Sequence, residues 1–106
     1  MNINDLSNKA KIVYAAMDSL GARGEDKKVT SYAIQDFIEE NEDLQEHELL
    51  KDMEEQDFID IIMELSLKSI NTLIASMCRQ GLVCKTEPRT IKINGERKNL
   101  REYYIK

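Results

Sequence analysis

The residues best suited to recognise a ligand by hydrogen bonding lie in one stretch, SLKSINTLIASMCRQGLV, at positions 66–83. Its apolar residues Leu67, Ile70, Leu73, Ile74 and Met77 recur at helical spacing, and Lys68, Ser69, Asn71, Thr72, Ser76 and Arg79 fall on the other side. An α-helix fits the major groove of duplex DNA, and side chains on its first turns can reach base edges. The Asn71 amide can pair with adenine, and Lys68 can donate to guanine. Ser69 and Thr72 have shorter reach and suit a base edge or a phosphate. Arg79 lies farther along and suits the sugar–phosphate backbone. Free N–H groups near Leu67 and Lys68 can also hold a phosphate oxygen.

A second basic group follows. Arg97 and Lys98 stand beside an Asn94-Gly95 turn, with Arg89 and Lys92 adding to the positive field. Such a turn can track phosphates or enter the minor groove. Each of these residues also has an ordinary structural use. Ser66 is first a helix cap, Ser69 can satisfy local backbone groups, and exposed hairpins commonly carry charge.

Enzymatic chemistry finds little support. His47 is the single histidine, in an acidic helical setting that suggests a surface position. Cys78 and Cys84 are six positions apart, wider than a zinc pair normally uses, and further ligands are lacking. Cys78 reads as a packed thiol. Carboxylates are plentiful, but acid–base catalysis needs converging groups with separated pKa values. No glycine loop could cradle a phosphate. The expectation is a non-enzyme with no cofactor and no metal.

The 106 residues suggest one domain with a modest core, and two cysteines do not make a disulfide framework. No apolar run could cross a bilayer and no secretory signal opens the chain, so a cytoplasmic protein without a membrane partner is expected. The net charge of -5 hides a strong asymmetry. Residues 1–28 carry five basic and four acidic side chains; residues 29–65 carry one basic, Lys51, and thirteen acidic; residues 66–106 carry nine basic and three acidic. The C-terminal third can face phosphates. The middle third must point elsewhere, meet a basic protein, or simply be solvated.

The elements that must position these groups are mostly helical. Leu6, Ala10, Val13, Met17 and Leu20 form a stripe widened by Ile12 and Ala16, capped by Asp5 or Ser7 and stopped at Gly21. A polar loop follows, and Lys28-Val29 suggests a very short strand. Thr30 should cap a second helix whose buried face is Ala33, Ile34, Phe37 and Ile38, ending near Glu40 or Asn41. A third helical region is expected over residues 44–64, with an interruption near Gln56-Asp57. Ser66 caps the fourth helix, Leu67 to Gln80, and Gly81 ends it. Residues 82–86, 90–94 and 100–106 then read as strands, with NGERKN as a basic turn and Pro88 at a bulge or edge.

The 66–83 stretch resembles the recognition helix and following strand of winged helix-turn-helix proteins, and VTSYAIQDFI at 29–38 resembles the helix that opens that motif. The likeness extends over about three quarters of the chain. It points to small bacterial or phage regulators, including the MarR-like group. The implied fold is mainly α with a C-terminal β-hairpin, a single winged-helix domain over 1–106. One departure is plain: the family's second helix lies only a few residues before the recognition helix. Either residues 41–65 are an acidic helical insertion or dimerisation segment, which is preferred, or the helix ending near Met63 is itself the second helix.

The expected function is a sequence-specific double-stranded DNA-binding transcriptional regulator, a homodimer acting by occupancy. The 44–65 region is the first dimerisation candidate and helix one the second. The main alternative is a winged-helix protein-interaction module or DNA-charge mimic that uses its acidic segment on a basic partner. A replication or plasmid-maintenance factor would carry the same DNA-binding domain.

Overall fold

The computed structural model describes residues 3–106, with the backbone alone at Glu42. Helix α1 (Asn8–Ser19) begins at Ser7, whose side chain accepts the Ala10 N–H. It ends in a tight wrap: Gly21 N–H donates to the Asp18 carbonyl and Ala22 N–H to that of Met17, with Gly21 at φ 75°. Helix α2 (Ser31–Glu40) is capped by Thr30, which accepts the Ala33 N–H. Helix α3 spans Glu55–Glu64 and helix α4 spans Leu67–Arg79. Ser66 caps α4 by accepting the Ser69 N–H, and Gly81 ends it in the same wrap as Gly21. The expected start and stop residues of α1, α2 and α4 are therefore those the backbone uses.

The third region differs from expectation. Only Glu55–Glu64 is α-helical, and two short 3-10 turns, Glu42–Glu46 and Glu48–Leu50, precede it. The break falls at residues 51–54, and Gln56 and Asp57 lie inside α3. Leu44 and Leu50 both enter the core, on turns that pack beside α1, and Phe58 enters it from α3. His47 starts the second turn, its Nδ1 accepting the Leu49 N–H at 3.1 Å.

The C-terminal region is a hairpin within a strand pair. Strand β1 (Val83–Lys85) pairs antiparallel with β4 (Tyr103–Ile105), while β2 (Arg89–Ile93) pairs antiparallel with β3 (Glu96–Leu100). The turn between β2 and β3 is only Asn94-Gly95, both at positive φ, 51° and 84°. Two positive φ values match the right-handed twist of the strands, which is why this dipeptide favours tight hairpins. ERKNL is consequently a strand, and not part of a wide turn. Pro88 stands outside both ladders. Val29 adds one bridge to Tyr103, with N–H···O distances of 2.9 and 2.7 Å, so the short strand expected there is a single pairing.

Helices α1, α2 and α4 pack on one another, and Val83 and Ile105 close the core from the sheet side. Ile12, Val13, Met17, Ile34, Leu50, Ile70, Ile74 and Met77 are fully buried. The apolar stripe of α1 is thus consumed within the subunit. Helix α3 contributes Phe58 to the core and leaves Ile59 and Met63 exposed. The chain is a small, mainly helical domain with a C-terminal β region, an arrangement compatible with helix-turn-helix proteins.

Candidate nucleic-acid interface

Burial of one face of α4 decides what the other can present. Ile70, Ile74 and Met77 hold the helix against α1 and α2. Lys68, Asn71, Thr72, Ala75 and Arg79 are exposed on the opposite side, one above another at helical spacing. They line a shallow open groove of about 500 Å³ together with Leu67. The side chains of Lys68, Asn71 and Arg79 make no hydrogen bond or ion pair with any described residue. Their full donor capacity faces solvent. Thr72 instead donates its hydroxyl to the Lys68 carbonyl at 3.0 Å, leaving it an acceptor oxygen and a methyl group.

Two other expected residues turn to local work. Ser69 Oγ lies 3.0 Å from Ser66 Oγ at the cap and is half-buried. Ser76 accepts a hydrogen bond from Gln80 Nε2 at 3.2 Å and is also half-buried. Both sit on the flanks of α4 and not at the centre of its outward face.

The β2–β3 hairpin separates residues that looked like one basic group. Strand alternation directs Thr90, Lys92, Arg97 and Asn99 to one side, all exposed. Lys92 and Arg97 are direct cross-strand partners. Lys98 points to the other side, where its ammonium donates to the Tyr32 hydroxyl at 2.9 Å and sits 4.8 Å from the ring centroid. That hydrogen bond holds the ammonium's pKa up. Lys98 therefore ties the hairpin to the start of α2. Arg89 is also engaged: its Nε donates to Glu102 at 2.6 Å, and the Glu102 side chain is largely buried.

Sequence reasoning missed two cations. Lys85 and Arg101 join Arg79 around a second groove of about 440 Å³, floored by Ala75, Cys78 and Tyr103. Ala75 and Arg79 line both grooves, so the two adjoin, and Lys68, Arg79, Lys85 and Arg101 are distributed along them from the start of α4 to the base of the hairpin. The available signal was the alternation of β1, which turns Lys85 outward beside the helix end. Arg101 Nη1 donates to the Thr86 carbonyl, which holds it at the base of the hairpin.

The groups considered for other chemistry are positioned differently. His47 is not free on the surface: its Nε2 lies 2.8 Å from Asp18 Oδ2. Asp18 also accepts from Arg23 Nε at 2.9 Å. The His47 hydrogen bond, then the Arg23 partnership, hold the Asp18 carboxyl below the usual carboxylate range against a desolvation that opposes them. Both cysteines are free thiols, and burial pushes the Cys78 thiol up, away from a reactive thiolate. Among the described residues no group of three or more His, Cys, Asp or Glu side chains could hold a metal ion, and no helix is long and apolar enough to cross a membrane. Comparison with known protein families, curated proteins and solved structures found no match.

Proposed function

We propose that this chain is a winged helix-turn-helix protein that binds double-stranded DNA and regulates transcription by occupying its site. The reading rests on one observation above all. Helix α4 is fixed by its buried side and presents Lys68, Asn71 and Arg79 outward without partners, along the two adjoining grooves and beside a basic hairpin. Asn71 and Lys68 read base edges, while Arg79, Lys85, Lys92 and Arg97 meet phosphates. Lys98 and Arg89 serve mainly to hold the hairpin in position.

The element order supports the same reading. A strand residue, Val29, leads into α2, and α2 packs on α1 and α4. On this view α2 is the second helix of the motif and residues 41–65 are an insertion. The likeness is to bacterial or phage regulators working in the cytoplasm, and occupancy requires no catalytic step. Two copies on neighbouring half-sites would double the phosphate contacts.

Selection from a genomic fragment pool at low salt, repeated as salt is raised, tests the proposal. Sequence-selective retention is expected. The variant Lys68→Ala/Asn71→Ala should lose about 1–3 kcal/mol of discrimination per base contact removed. Absence of any DNA retention at low salt would refute the reading, and the stoichiometry of the complex reports whether one or two copies bind.

A further inference from the structure

We propose that the groove between the end of α2 and helix α3 docks a basic amphipathic helix of a partner protein. The observations are independent of the DNA reading. The groove is about 330 Å³ and is lined by Ile38, Phe58, Ile59, Ile62 and Met63 with Glu39 and Glu55 among them. Met63 is 81% exposed and Ile59 40%, the two exposed large apolar side chains among the described residues. They are one helical turn apart on α3 and so belong to one patch. An isolated apolar side chain on a surface is ordinary; a pair lining a groove between two helices offers a seat for apolar anchors.

Charge selects the occupant. Glu39 and Glu55 stand in the groove wall, and Glu40, Asp60 and Glu64 are exposed on the same two helices. Lys51 is the one basic residue between positions 29 and 65. A second copy laid symmetrically on this face would oppose acid to acid, which disfavours the 44–65 region as a self-association surface. An anionic lipid surface would be repelled too. A helix with leucine-like residues along one stripe and Lys or Arg on its flanks satisfies both features, seating apolar anchors at helical spacing and meeting the carboxylates at the rim. The groove lies at the end of α2 opposite Tyr32 and the hairpin. Six residues of helix, about 9 Å of rise, separate Tyr32 from Ile38.

The test uses the full chain and a synthetic peptide of about 18 residues with a leucine stripe and lysine flanks, long enough for several helical turns. A matched peptide with glutamate flanks is the control. Binding is read by fluorescence anisotropy across a salt series. The lysine peptide should bind and the glutamate peptide should not. Ile59→Ser/Met63→Ser leaves the charge unchanged and should weaken binding by about tenfold or more. Glu39→Gln/Glu55→Gln keeps the apolar surface and should weaken binding while flattening its salt dependence. Lys68→Ala/Asn71→Ala should bind the peptide as the natural chain does, which separates this proposal from the DNA reading. Equal binding by the Ile59→Ser/Met63→Ser variant would mean general attraction to an acidic surface and would overturn the proposal. So would no binding at low salt, or a natural-chain dimer in sedimentation that the serine variant dissociates.

Discussion

Asp18 shows how far a single surface-looking residue can reach in this molecule. It joins the end of α1 to His47 in the 42–50 segment and to Arg23 in the following loop. Because its folded pKa is lowered, its contribution to stability is present above the unfolded value near 3.8 and is lost as pH falls through the lowered one. Asp18→Asn should therefore unfold at lower urea than the natural chain at neutral pH. The gap should narrow as the solution is acidified through that range. A gap of constant size across the acid range would contradict the assignment. None of this was visible in the sequence, which showed only a lone histidine among acids; its partner lies 29 positions earlier, and packing alone brings the two together.

At the scale of elements, the β2–β3 hairpin carries a conflict that its proposed role explains. Lys92 and Arg97 face each other directly across the strands, and like charges in that position destabilise a sheet. Lys92→Ala should raise stability by about 0.2–1 kcal/mol and at the same time weaken DNA binding. Thermal unfolding and anisotropy read the two effects separately, and movement of both in the same direction would count against a phosphate-facing hairpin. Helix α4 offers a simpler test. Gly81 has φ 79°, and nothing lies within 4 Å of where a Cβ would stand. Gly81→Ala should cost about 1–2 kcal/mol from backbone strain alone, measured by urea unfolding, without altering the face of α4.

Caps and stops were legible because they act locally: Ser7, Thr30, Ser66, Gly21 and Gly81 each do their work within a few residues. The outward side of α4 was legible for the same reason, since Ile70, Ile74 and Met77 declare which side is buried. What was not legible depends on distant partners. The 42–50 segment forms two 3-10 turns whose Leu44 and Leu50 meet α1, a packing set by residues some thirty positions earlier. The strand character of ERKNL depends on its pairing with RTIKI through a turn of only two residues. Lys98 turns away from Arg97 to meet Tyr32, 66 positions earlier.

Over the whole molecule, charge and apolar surface are sorted by region. The segment 29–65 carries thirteen acids against one base, and 66–106 carries nine bases against three acids. The basic part holds the adjoining grooves along α4 and the hairpin; the acidic part holds the apolar groove at α3. A protein that engaged DNA through the first would keep the second available, since the acids are repelled from phosphates. The central claim is that the outward face of α4 meets DNA. Amide shift mapping by NMR, with a selected duplex added to nitrogen-labelled protein, tests it most directly. Perturbations concentrated on Lys68 to Arg79 and on β2–β3, with α3 silent, are the predicted result; perturbations concentrated on α3, or none along α4 at saturating duplex, would contradict it.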